Sequence, residues 1–235
     1  MRRAVGHAAV STIAVAAAFM LGVQLAPAAE RLQIDDERQG RSSLEFVGRA
    51  EQNGLTIDIF GYVTHIADVD DAALFASSTA ARNETTARVS FSATTTITQN
   101  FMILPLPSVP SLFDVDSAGF LKFWFNETPS GRTFDNPASF GTGTEVARHK
   151  LRLQDVVAAL VGVDPSRGVV DGNGELCQQS VSPFRLAGET QRLGRRGLVQ
   201  NVFTHGWTVR TSPNPPQSFT HVGGHTTPTG GDGRC

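Results

Sequence analysis

His65 stands three residues before a short acidic run, with Tyr62 ahead of it and Asp68, Asp70 and Asp71 after it. An imidazole with a carboxylate a few residues away makes a pair in which the acid orients the ring and shifts its proton affinity, the arrangement that general acid/base chemistry uses. His65, Asp68 and Tyr62 are therefore the acid/base candidates, weighed against a plain role in which His65 packs at a strand end and the aspartates solvate a loop. No nucleophile accompanies them: the chain has neither a Gly-x-Ser-x-Gly nor a Ser-x-x-Lys motif. A second group is aromatic. Fifteen phenylalanines stand against one tyrosine, and Phe120, Phe123, Trp124 and Phe125 fall within six residues. Such a cluster either packs a core or lines an apolar ligand pocket.

Metal readings are weaker. Asp114 to Gly119 and Asp171 to Glu175 place oxygens at alternate positions but lack the remaining ligands of a calcium loop, so both read as turns. His205, His221, His225 and Cys235 form a loose set, and Gly223 and Gly224 rule out the helix that would hold His221 and His225 on one face. No metal site and no cofactor are assigned. Cys177 and Cys235 are the two cysteines, and in an oxidising compartment the simplest outcomes are one disulfide between them or a free thiol at the terminus.

The address precedes the fold. Arg2 and Arg3 lead an Ala/Val-rich stretch from about Ala8 to Leu25 that ends in Ala26-Pro27-Ala28, the order of a signal peptide cut after Ala28. That predicts a secreted, extracytoplasmic protein with no stable membrane insertion after cleavage. The chain carries 20 basic and 22 acidic residues, and loss of Arg2 and Arg3 takes the balance to about −4. This argues against nucleic acid as a partner, since phosphate binding needs a basic surface. Arginine outnumbers lysine heavily, a bias that fits a high-GC bacterial source.

The elements that must position these residues are strands. Residues 29–43 are charged and aperiodic and read as a flexible lead-in. From Leu44 apolar and polar residues alternate up to Asn53-Gly54, a hairpin signal, and a long β-branched run follows to Ile66. Ala67 to Ala76 reads as one helical turn capped by Asp68 or Asp70. Val89, Phe91, Ala93, Thr95 and Ile97 share one face of the clearest strand. Asn100 to Leu112 carries three prolines and reads as an extended loop or edge segment. Phe120 to Phe125 is a strand apolar on both faces; Ala147, His149, Leu151 and Leu153 alternate in another; Asp155 to Val161 reads as a short helix. Further strands run to Thr211, and residues 212–235, rich in Pro, Gly and Thr, read as a disordered tail.

Eight or nine strands without βαβ alternation predict an all-β fold: one domain over residues 44–211, an antiparallel barrel of about eight strands, with a two-sheet sandwich as the alternative. Gly48, Gly61, Gly119 and Gly197 sit where a closing sheet would bend, which favours the barrel.

The segments Phe46-Val47-Gly48, Gln52-Asn53-Gly54, Gly61 to Ile66, Leu74-Phe75 and Thr86 to Phe91 resemble exported bacterial β-proteins of no assigned function. In layout the chain is similar to the allene-oxide-cyclase and dirigent type of barrel, whose members bind apolar substrates and steer cyclisation or coupling. The glycine-rich motifs of that group do not occur here, so the likeness carries over no residue. The expectation that follows is a secreted barrel binding an apolar small molecule or a surface partner. The alternatives are a cofactor-free barrel isomerase or cyclase using His65, and an envelope-associated interaction protein using the Pro-rich loop at 104–110.

Overall fold

Period-two alternation turns into β-structure along most of the chain. The computed structural model describes residues 31–32, 40–76, 81–103, 111–159 and 166–231. Eleven strands follow in order: β1 (Arg31–Leu32), β2 (Leu44–Asn53), β3 (Thr56–Ile66), β4 (Val89–Ile103), β5 (Ser111–Phe125), β6 (Thr144–Ala159), β7 (Arg167–Val181), β8 (Phe184–Leu186), β9 (Glu189–Arg192), β10 (Val199–Pro213) and β11 (Pro216–Gly230). Eight of them, β2 to β7 with β10 and β11, close into an antiparallel barrel; β1, β9 and β8 make a small separate sheet. The fold is the all-β barrel expected, and the sandwich alternative is set aside by the closure of β10 and β11 onto β7 and β2.

The local signals mostly act where the residues place them. Asn53 pairs with Thr56 around Gly54 at φ +62°, a conformation open to glycine at little cost. Asp70 caps a single 3-10 turn, Asp71–Leu74, by accepting from the Ala72 N–H at 3.0 Å. The β4 residues Val89, Phe91, Ala93, Thr95 and Ile97 are all buried on one face.

Four readings are corrected. Asp155 does not start a helix, because β6 runs on to Ala159 and keeps the alternation begun at Ala147; two consecutive valines, stiff at χ1, favour the strand. The Asp114-to-Gly119 segment is not a turn but the middle of β5, and Asp171 to Glu175 lies within β7. The 212–235 tail is not disordered where it is described: Pro216–Gly230 is β11, and it hydrogen-bonds to β10 on one side and β2 on the other. Without it those two strands would present unpaired backbone groups, and a segment of threonines and glycines supplies the ladder without needing a greasy face. The lead-in is partly tied down, since Arg31 and Leu32 pair in parallel with Gln191 and Arg192, and Ser43 donates its backbone N–H to Thr226 O. The expected signal segment, the Pro-rich residues 104–110 and Cys235 lie outside the described residues.

The barrel has two unlike ends. At one, the connecting residues 67–76, 81–88, 126–143 and 182–198 cover it, and Leu44, Val63, Ile66, Leu193 and Leu198 are almost wholly buried there. The other carries the hairpin turns at 54–55 and 214–215. Inside, the tip of the Phe91 ring reaches so close to Gly48 and Gly61 that a Cβ at Gly61 would come within 2.6 Å of its Cζ. These paired glycines let the sheet curve around an aromatic side chain. Outside β3, a second aromatic group, Phe60, Tyr62, Phe75, Phe134 and Phe140, joins two of the connections to the barrel wall with ring separations of 5.0 to 6.4 Å.

Candidate lumen site

Strand alternation divides the barrel by polarity. The outward positions of β5, β6 and β7 carry Asp114, Asp116, Lys122, Lys150, Arg152, Asp171 and Glu175, while the inward ones are mainly apolar. The lumen contains a cavity of about 240 Å³. Its floor is Phe46, Phe91, Leu121, Phe123, Leu151 and Leu176. Phe46 meets Phe91 edge-on at 5.4 Å, and Phe91 is 6.2 Å from Phe123, distances at which aromatic pairs add to simple burial. Ile57, Ile59, Leu153, Val157, Val170 and Val222 form the wall, and Gln52, Asn100, Arg167, Arg210 and Gln217 lie toward the hairpin end.

One carboxyl interrupts this wall. Asp155 shares the inward face of β6 with Leu151 and Leu153, and burial pushes its pKa up to about 7. Desolvation in an apolar enclosure disfavours the charged form, and no Lys or Arg makes an ion pair with it among the described residues. Its neighbour across β6 and β7 is Gly172, and across β7 and β10 comes Thr204, so the three form one row around the lumen.

Farther down the inward face of β6 from Asp155, beneath the floor, lies His149. It is 1% exposed, its ring edge meets Phe123 at 5.6 Å, and neither ring nitrogen has a hydrogen-bond partner among the described residues. Burial pushes its pKa down to about 3, so it is neutral in this fold at any ordinary pH.

The residues singled out in the sequence do not converge on the lumen. His65 and Tyr62 point outward from β3. His65 pairs with Asp71 at 2.7 Å, not with Asp68, which sits at φ +63° in the connecting turn. Tyr62 packs edge-on against Phe75 at 6.4 Å, and burial, with Glu84 nearby, raises its pKa. Of the aromatic quartet, Phe123 alone lines the cavity. Phe120 is 46% exposed under Arg148, Trp124 donates its indole N–H to Ser92 Oγ at 3.0 Å outside the barrel, and Phe125 packs tilted against Phe184 at 4.8 Å beside the covered end. An alternating strand sends neighbours to opposite faces, so aromatics bunched along one strand cannot all share one pocket. His221 and His225 lie four residues apart on extended β11, about 13 Å, too far to share an ion. Cys177 is disulfide-bonded and buried on the outward register of β7.

The sequence hides Asp155 for a local reason. Read as a helix cap, it is cut off from the series Ala147, His149, Leu151, Leu153, whose next member it is. Fold and site together define a closed antiparallel barrel with an apolar lumen and one half-buried carboxyl on its inner wall. No protein-family model, curated protein or solved structure matches the chain.

Proposed function

We propose that this is an exported barrel that binds a small, mainly apolar molecule in its lumen. The observation that carries the reading is the polarity of β5, β6 and β7: charged side chains on their outer face, and an aromatic and aliphatic lining around a cavity inside. A barrel facing lipid would carry the reverse arrangement, while a soluble binder needs this one. Native mass spectrometry of protein taken from culture supernatant, before and after denaturation, tests it. A mature chain cut after Ala28 that releases a small apolar species supports the reading. Leu153→Trp fills the wall and should abolish binding of the apolar dye N-phenylnaphthylamine while leaving the circular dichroism intact; equal dye binding by the variant would sink the lumen as the site.

A cofactor-free isomerase or cyclase is the second reading, and Asp155 is what favours it. A carboxyl that titrates near neutrality and faces an apolar cavity is suited to moving a proton. His65, on the outer wall, does not line the lumen. Conversion of the released species by wild type and not by Asp155→Asn would establish the enzyme.

A further inference from the structure

Asp155 and Thr204 leave their hydrogen-bonding capacity open toward the same point. Register sets Asp155 opposite Gly172 and Gly172 opposite Thr204, on β6, β7 and β10. A Cβ at Gly172 would collide with both Asp155 Oδ1 and Thr204 Oγ1. Only a residue without a side chain allows both oxygens to lean over that stretch of backbone. Neither side chain makes a hydrogen bond to another described residue, although both line the cavity.

The surroundings narrow what can meet them. On β5 the residue paired with Asp155 is Val115, and on β7 it is Gly172; Asp171, Asn173 and His205, their sequence neighbours, face outward. The other charged side chains in the lining are Arg167 and Arg210, farther along their strands toward the hairpin end. Those arginines oppose entry of a cationic ligand, and a ligand carboxylate set beside Asp155 would lose its water in an apolar stretch of wall without a cation next to it. What remains is an uncharged oxygen. With burial holding much of Asp155 in its protonated form near neutrality, the carboxyl O–H and the Thr204 hydroxyl are two donors.

We propose that Asp155 and Thr204 form a two-donor notch for one carbonyl oxygen of an uncharged, otherwise apolar ligand, whose apolar body reaches down to Phe46, Phe91 and Phe123. This rests on the lumen being the binding site, and it adds the chemical class of the ligand and the way it is oriented. In such a site a ligand lacking the oxygen leaves both donors unpaired and binds more weakly.

The test uses a matched pair of fluorescent probes: the naphthyl ketone prodan and its parent dimethylaminonaphthalene, which lacks the carbonyl. The ketone binds the protonated carboxyl in preference, so its affinity falls as pH rises through about 7, by roughly tenfold between about pH 5 and pH 9. The parent's affinity stays level over that range. Asp155→Asn keeps an N–H donor at every pH and should bind prodan without pH dependence. Thr204→Val, which leaves Asp155 in place, should weaken prodan several-fold and leave the parent unchanged. Equal affinity for both probes with no pH dependence in wild type, or a prodan preference that survives Asp155→Leu, overturns the notch while leaving the lumen as a binding site. Failure of either probe to bind wild type overturns the lumen reading as well.

Discussion

Replacing His149 with leucine should convert an acid-sensitive barrel into a more acid-tolerant one. His149 sits under the lumen floor at 1% exposure with both ring nitrogens unpaired among the described residues. In the unfolded chain it takes up a proton near pH 6.5; in the fold burial holds it neutral until about pH 3. Its folded pKa is depressed, so the unfolded state binds more protons throughout that window, and stability is complete above about 6.5 and falls as the pH drops toward 3. Each tenfold change in proton affinity is worth about 1.4 kcal/mol, so the interval from 6.5 to about 3 amounts to about 5 kcal/mol, with about 3 kcal/mol already lost at pH 4. Beside a typical domain stability of roughly 5 to 15 kcal/mol, that is a large share. The assay is urea unfolding of wild type and His149→Leu at about pH 8, 6 and 4, read by tryptophan fluorescence. The difference in unfolding free energy between the two proteins cancels every other titrating group, Asp155 included. It should grow by about 3 kcal/mol in favour of leucine between about pH 8 and pH 4. At pH 8 leucine should already be the more stable by about 1 to 3 kcal/mol, since it buries no orphaned nitrogen. A pH-independent difference would show that His149 does protonate in the fold, through water or a rearranged Gln178 and Gln200, and the argument that burial holds it neutral would fail.

Three other outcomes follow from the same structure. Asp155→Asn should act with the opposite sign: its folded pKa is raised from 3.8 to about 7, so wild type loses stability as pH rises through that window, up to about 4 kcal/mol before a discount for water reaching the lumen. Paired urea melts at about pH 4 and pH 8 should show the variant gaining only at the higher pH, and a gain at both would refute it. Gly61→Ala should cost about 2 to 3 kcal/mol or prevent folding, because the added carbon collides with Val47 O and falls 2.6 Å from the Phe91 ring; an unchanged melting temperature would count against the close contact. Non-reducing peptide mapping should recover residue 177 cross-linked to residue 235. Gly230 pairs with Val199, which pairs with Cys177, two strand spacings or about 10 Å in all; the last residues of the chain can span that. Cys177→Ser would then cost about 2 to 4 kcal/mol, and a free thiol at Cys235 in native protein would refute the pairing.

How much of this could be read from the residues depends on whether a feature is local. The Gly54 hairpin, the alternation of β4 and the Asp70 cap each rest on a few neighbouring residues, and each stands where the residues placed it. Barrel closure was legible through Gly48 and Gly61, though the reason, the ring tip of a phenylalanine from β4 set against both, is a contact over some thirty residues of sequence. β11 was not legible, because its role is to satisfy the backbones of β10 and β2, and that demand appears only once the other seven strands are in place.

The site fails to show in the sequence for a related reason. Inside and outside are properties of the closed sheet, and a strand such as Phe120 to Phe125 carries aromatics for both: Phe123 for the lumen, Trp124 for the wall that Ser92 and Lys122 share. His65 and Asp71 are close in sequence and meet, but on the outer surface. Asp155, Gly172 and Thr204 are far apart in sequence and stand in one row. A carboxyl near its own chain neighbours is cheap to place and says little about function. One held without a cation on an apolar inner wall costs stability at neutral pH, and that cost is the physical reason to look for a ligand at Asp155 before His65.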